Sequence, residues 1–540
     1  MEAQLTHRWT PASDPEAKVY TSVETAIARV DRPLFVLNDA GVQKYATGGG
    51  VCGPDASRES DGIPLLAYAP ACPPAALGDR AFCEAHGVTF PCYAGSMAHG
   101  IASEAMVVAM GAAGMLGFFG SAGLARDALL DAIKGLAGRM GNMPFGFNLI
   151  NSPGNADWEN NAVALFLEHD IRLVEASAYI RPTAALIKYR VTGLRQEPDG
   201  TISAKNNIIA KVSRAEIAQR FLAPPPEKVL KKLLLAGDIT EEEAVLATRI
   251  PLAQDITAEA DSGGHTDHRA ALALLPNLQR VRDEIQQEYR YHAPPRIGLA
   301  GGIGTPQSVA AAFAMGAAYV VTGSVNQACI ESGTSPQVRA MLAEAAQTDV
   351  ADAPAADMFE MGATVQVLKR GTRFAERAAK LYDLYRNYDG IDALPPHERE
   401  KIETKIFRAP LAHIWEETCE YFKTRNPQQL KNADENPKKK MALIFKWYLG
   451  NAAQWANCGV EDRREDFQIW CGPAMGAFND WTRGTFLETP ANRRVADVSL
   501  QLLHGAAKAM RVQALRQQGV LLPAISTLLA PDEALATATR

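Results

Sequence analysis

The sequence predicts an α/β fold built on one (β/α)8 barrel, with a helical insertion after the fifth strand and a helical C-terminal subdomain. Three observations predict it. Short β-branched or apolar runs alternate with amphipathic stretches between residues 88 and 345, the pattern of repeated βα units around a parallel sheet. Eight such runs can be counted, the number that closes a TIM barrel. The chain has 540 residues against the roughly 250 that one barrel takes, so it holds either two domains or one barrel with large additions.

The runs are VTFPCYAG (88 to 95), GMLGFFG (114 to 120), FGFNLI (145 to 150), IRLVEAS (171 to 177), NIIAKVS (207 to 213), LAQDITAEA (252 to 260), RIGLAGG (296 to 302) and AYVVTGS (318 to 324). A helical pattern follows each. ARDALLDAIKGLAGRM, after the second, sets Leu129, Leu130, Ile133 and Leu136 on one stripe with charges opposite. In the fifth unit, residues 223–249 place two short helical patterns behind a three-proline break, which reads as a helical insertion. Residues 1–87 form an N-terminal extension, Pro- and Gly-rich with weak strand patterns, where no chemistry can be placed. The barrel itself takes residues 88–345. Residues 346–540 form a helical region in which Trp415, Trp447, Trp455, Trp470 and Trp481 lie.

Composition narrows the function. With 55 basic and 61 acidic residues, a net charge of −6 lacks the basic excess that a nucleic-acid binder uses on phosphates. No apolar run reaches the roughly 18 to 20 residues of a membrane helix, and no apolar signal core opens the chain. A cytoplasmic protein with neither nucleic acid nor membrane as partner is expected. Eight cysteines form no C-x-x-C pair and keep no zinc-ligand spacing with histidine, so reduced thiols and no metal are expected.

The most informative motifs are Gly301-Gly302-Ile303-Gly304-Thr305 after the seventh run and Thr322-Gly323-Ser324 after the eighth. Loops at these two places commonly bind phosphate in barrels, because glycines let backbone N–H groups approach the anion. A phosphate-bearing cofactor such as FMN is the reading, and no early G-x-G-x-x-G points to a dinucleotide domain. The sixth loop, Glu259 to His268, holds His265 beside a Gly-Gly pair over the barrel mouth. A histidine titrates near neutrality, so His265 is the candidate for proton exchange with substrate. His268 is read as an ordinary residue at the start of the next helix.

Other strand ends face the same mouth. Gly95 and Ser96 would offer backbone groups to a flat ring edge, with Met97 packing on its face. Asn148 has the donor and acceptor that suit a flavin pyrimidine, and Lys211 would stabilise negative charge near flavin N1 and O2. Farther on, Lys438, Lys439 and Lys440 precede MALIFKWYLG, which contains Lys446; a basic run of this kind is a solvated helix start or a docking site for an acidic partner.

Through AGSMAHG, FGFNL, EADSGGH, LAGGIGTP and VVTGSVNQ the barrel resembles the flavin-dependent nitronate monooxygenase and enoyl-reductase superfamily. Three stretches outside the barrel motifs, 353 to 385, 435 to 450 and 469 to 484, make it more specifically similar to the PfaD family of trans-acting enoyl reductases of polyketide and polyunsaturated-fatty-acid synthases. The resemblance implies bound FMN, NADPH as hydride donor and a 2,3-enoyl thioester on an acyl carrier protein as acceptor. It implies that Gly301, Gly302, Gly323 and Ser324 hold the FMN phosphate and that Met97, Asn148 and Lys211 contact the ring system. His265 matches the histidine of the GGH motif, and it delivers a proton, polarises the thioester carbonyl or shapes the pocket. The carrier protein, commonly acidic, would meet Lys438, Lys439, Lys440 and Lys446. Two alternatives stay open, a nitronate monooxygenase on the same fold and a non-catalytic scaffold that retains flavin; a homodimer is an open option too.

Overall fold

The computed structural model describes residues 7–11, 14–53, 62–151 and 156–537. All eight predicted runs contribute a strand: Cys92–Ala94, Leu116–Phe119, Gly146–Ile150, Leu173–Ser177, Asn207–Val212, Asp255–Glu259, Arg296–Ala300 and Val320–Thr322. They close into a barrel in sequence order, each strand parallel to the next and the eighth pairing with the first. Nearly every residue of these strands is buried, as expected when helices cover the outside and side chains fill the inside. The helix Arg126–Met140 buries Leu129, Ile133 and Leu136 as its stripe requires; each such side chain contributes about 1.5–3 kcal/mol by leaving water. The insertion consists of the helices Glu227–Leu235 and Glu241–Ala247.

The additions differ from the sequence reading in two ways. The N-terminal extension is a six-stranded sheet, ordered Lys18–Tyr20, Val42–Thr47, Leu34–Asp39, Ile63–Ala69, Arg8–Thr10, Gly50–Cys52. Its weak patterns arise because several of these strands are only three residues long. The C-terminal region carries, besides its helices, the strands Val350–Pro354 and Thr364–Leu368. These join a two-residue strand of the barrel, Gly264–His265, in a three-stranded antiparallel sheet.

The C-terminal region also has two cores. One lies among residues 353–452 and is rich in aromatic side chains, including Phe359, Phe374, Phe407, Phe445 and Tyr448. The other is the barrel's own, which the helix Val495–Gln517 enters through Val498, Leu502 and Ala506. That helix goes on to pack Val512 and Leu515 against Leu34 and Val36 of the N-terminal sheet. Buried Arg511 near its end donates to the carbonyls of Arg29 (2.7 Å) and Arg32 (3.0 Å). Among the described residues no helix is long and apolar enough to cross a membrane.

At the end of the barrel away from the candidate loops, fully buried Asp255 accepts from Arg296 Nε (2.6 Å) and Nη2 (2.9 Å) and meets His86 Nε2 at 2.8 Å. Burial opposes its charge, but His86 and Arg296 prevail and lower its pKa to about 2. Asp255→Ala leaves both partners without a carboxylate and is expected to cost about 3–5 kcal/mol, read as a lower urea midpoint. Because the folded pKa is depressed, the stabilisation is complete above the unfolded value of about 4 and is lost as pH falls toward about 2. Asp255→Asn should lack that part of the acid-induced loss; an unchanged stability profile against pH would overturn the assignment.

Candidate active site

The loops after the barrel strands converge on one mouth. At its floor Glu175, from the fourth strand and fully buried, accepts from Tyr93 Oη (3.0 Å), from Ser96 N–H (3.0 Å) and from the Ser96 hydroxyl. Tyr93 Oη continues to Thr257 Oγ1 (2.9 Å) and that to Tyr319 Oη (3.0 Å), a polar column inside an otherwise apolar barrel. Lys211, one strand over, pairs with Glu259 at 2.8 Å. Burial works against the charge of Lys211, but the carboxylates of Glu259 and Glu175 more than compensate and raise its pKa, so it is a fixed cation at the mouth.

His265 lies on the short strand Gly264–His265, opposite Val365. Gly264 precedes it at φ +85°, a conformation that a residue with a Cβ seldom adopts. The third strand of this sheet ends at Pro354, and the chain after it brings Asp357 Oδ1 to 3.1 Å from His265 Nε2. Burial opposes the imidazolium, but the bond to Asp357 and the charges of Asp357 and Glu259 exceed it, with Lys211 opposing, and the pKa is raised. A carboxylate only accepts, so Nε2 carries the hydrogen toward Asp357 and Nδ1 is the nitrogen that gains and loses a proton.

The glycines of the mouth sort into two kinds. A Cβ on Gly301 would stand 2.6 Å from the carbonyl of Ala260, and one on Gly263 would stand 2.9 Å from the backbone of Cys471 and Gly472. These glycines serve close packing between backbones. A Cβ on Gly302 or Gly323 would meet nothing within 4 Å, so these two leave space beside the seventh and eighth loops. Open backbone at Gly302 and Gly323, with the Ser324 hydroxyl next in sequence, is a donor set of the kind a phosphate group takes. Asn148 is buried at the third strand end, where its amide donates to Glu175 O (3.2 Å) and Ser177 Oγ (3.1 Å). Met97 is partly buried against the barrel core.

Three expectations change. The N–H of Gly95 donates to Thr322 O (3.0 Å) and that of Ser96 to Glu175, so neither N–H is free for a ring edge. His268 precedes the helix Ala271–Tyr289 rather than opening it, and its ring is held between Asp261 (2.9 Å) and Asp352 (3.2 Å). The four lysines are neutralised or covered within the chain: Lys439 (2.7 Å) and Lys446 (2.9 Å) close on Glu360, Lys438 donates to Tyr388 O (2.7 Å), and Lys440 lies 4.9 Å over the ring of Trp415. Lys439 and Lys446 tie the helix Pro437–Cys458 to the segment that runs from Asp357 into Thr364–Leu368. No acidic-partner surface follows from them.

The residues missed were Glu175, Asp352 and Asp357. An acidic residue inside the apolar run IRLVEAS was a usable signal for Glu175. For the others no local signal exists, because their role depends on which strand pairs with Gly264–His265. Burial pushes the thiols of Cys92 and Cys471 up to about 12, away from the reactive thiolate range.

Comparison with known proteins agrees with this architecture. Residues 80–359 match the nitronate monooxygenase family model, and residues 388–467 match the inserted helical domain of [acyl-carrier-protein] S-malonyltransferase. The chain is 46% identical over 447 residues to one of the polyunsaturated fatty acid synthase polypeptides of Thraustochytrium sp., covering 82% of this chain and 30% of that protein. It is 41% identical over 444 residues to the polyketide biosynthesis protein PksE of Bacillus subtilis, covering 82% and 58% respectively. The chain thus spans about a third to somewhat over half of these relatives. The crystal structure of the enoyl reductase domain of MlnA, from the macrolactin biosynthesis cluster of Bacillus amyloliquefaciens, matches with a TM-score of 0.79 at 39% identity, over 82% of this chain and 100% of that one. A family match across the barrel and a full-length match to a solved domain lead to one conclusion: the chain belongs to the nitronate monooxygenase family, in the group that contains the MlnA enoyl reductase domain.

Proposed function

We propose that the protein is an FMN-dependent enoyl reductase that uses NADPH to reduce the 2,3-double bond of an enoyl thioester on an acyl carrier protein, within polyketide or polyunsaturated fatty acid biosynthesis. The observation that carries this reading is the match along the entire MlnA enoyl reductase domain. The names of the other relatives, which are proteins of such pathways, support the substrate class and a carrier-protein partner.

When bound, FMN supplies the hydride chemistry that links NADPH to the conjugated double bond. Gly302, Gly323 and Ser324 would hold its phosphate, while Met97, Asn148 and Lys211 would line its ring system. Lys211 keeps a positive charge beside it and thereby favours the electron-rich, reduced state. His265 holds a proton at Nδ1, with Asp357 fixing the ring through Nε2, and delivers that proton to the substrate α-carbon.

His265→Ala is expected to slow the enoyl-reducing half-reaction about 10²- to 10⁴-fold with flavin content unchanged. The measurement is anaerobic reoxidation of the NADPH-reduced protein by a crotonyl thioester on carrier protein; an unaltered rate removes His265 from catalysis. The raised pKa sets the sign of the pH dependence. The rate should be retained at low pH and fall as pH rises through the His265 pKa, which lies above the ordinary imidazole value. In Asp357→Asn the supporting carboxylate is gone, so that fall should move to lower pH; an unshifted profile overturns the pairing. A second reading, a nitronate monooxygenase, is favoured by the family match over 80–359. Oxygen uptake with a nitronate, in protein that does not reduce the enoyl thioester, would establish it instead, and flavin that NADPH never reduces would point to a scaffold.

A further inference from the structure

The segment Ile469-Trp470-Cys471-Gly472-Pro473-Ala474 leaves the aromatic core of the C-terminal region and crosses the barrel mouth as a strap. Trp470 bridges to Val367, and Cys471 N–H donates to Gln366 O (3.3 Å). The ring of Trp470 lies parallel to that of His99, with an interplanar angle of 2° and centroids 5.8 Å apart. The backbone of Cys471 and Gly472 presses on Gly263 of the sixth loop, and Ala474 lies against Gly304 of the seventh. Gly472 N–H donates to Ser324 Oγ (3.1 Å) on the eighth loop. The strap therefore touches the three loops that surround the space beside Gly302 and Gly323.

The Ser324 contact has a directional consequence. A hydroxyl has one proton and two lone pairs. With a lone pair engaged by Gly472, the Ser324 proton is turned away from the strap, and among the described residues it has no acceptor. Ser324 directly follows Gly323, where an added Cβ would meet nothing within 4 Å. A hydroxyl already accepting one hydrogen bond is also a better donor in the next.

Resting on the flavin reading above, we infer that the strap is the outer wall of the cofactor phosphate pocket and that Gly472 is a positioning residue, its N–H aiming the Ser324 hydroxyl at the phosphate. The region beyond the barrel thereby forms part of the phosphate site and does more than cover the mouth.

The test uses full-length protein stripped of flavin and titrated separately with FMN and with riboflavin, which lacks the phosphate. Ser324→Ala is expected to weaken FMN about ten- to a hundred-fold, as for loss of a hydrogen bond to a charged group, with riboflavin unchanged; Ser324→Thr should keep the FMN preference. Gly472→Ala puts a Cβ 2.8 Å from Gly263 N and must displace the strap, so it should produce the same FMN-selective loss. The double variant should be no weaker than either single one, since both act through one hydroxyl. The inference is overturned if Gly472→Ala keeps the wild-type preference for FMN over riboflavin or weakens both flavins equally. Should that variant not fold, Gly263→Ala presses on the strap from the opposite side and gives the same two outcomes. A wild-type protein that takes up neither flavin overturns the reading on which the inference rests, and the strap's role with it.

Discussion

Two backbone pairs, Gly264 with Gln366 and His265 with Val365, join the barrel to the region that follows it, and the candidate site depends on them. A histidine on a free loop would sample many orientations and lose entropy on being ordered. Pairing with Thr364–Leu368 fixes the backbone of His265, and the next strand, Val350–Pro354, brings the carboxylates that fix its ring and that of His268. Asp352 stands opposite Gln366 in the register, so the alignment that seats His265 also seats the Asp261–His268–Asp352 contact. A shift of one residue would turn every side chain of these strands to the other face.

Charge is arranged around that pairing in layers. Glu175 and Glu259 put two carboxylates at the floor of the mouth, and Lys211 between them is held charged. At the rim, Asp357 favours the imidazolium of His265. Farther out, Glu360 lies between Lys439 and Lys446; burial opposes its charge, but the two lysines lower its pKa. Asp466, fully buried, accepts from Arg377, Tyr448 (2.9 Å) and Arg463 (3.2 Å), and the chain runs from it directly into the strap. Each buried carboxylate has a partner because an unpaired one would be far costlier than the pair is stabilising.

The three stretches that distinguish this chain from a plain barrel converge in space. Residues 353–385 supply Asp357 and the strand opposite His265, residues 435–450 anchor that segment through Glu360, and residues 469–484 supply the strap. Read as a linear text, the lysines of the second stretch looked like a surface for an acidic partner. Lys439 and Lys446 are instead anchors, because their carboxylate lies 79 and 86 residues away in the chain and no local pattern links them to it.

Periodicity and glycine placement by themselves determined the barrel, its eight strands in order, the insertion in the fifth unit, and the loops that meet at the mouth. These features are local: strand runs, amphipathic stripes and turn residues are dictated by neighbours a few positions apart. The position of His265 at a barrel strand end was legible for the same reason. What the tertiary structure decided was the set of partners. The pairing of Gly264–His265 with a strand a hundred residues on, the choice of Asp357 over the other acidic residues of its segment, the inward turn of Lys439 and Lys446, and the closure of Gly472 on Ser324 all join residues distant in sequence. Such contacts arise from backbone hydrogen bonds and close packing that are satisfied only once the whole chain is assembled.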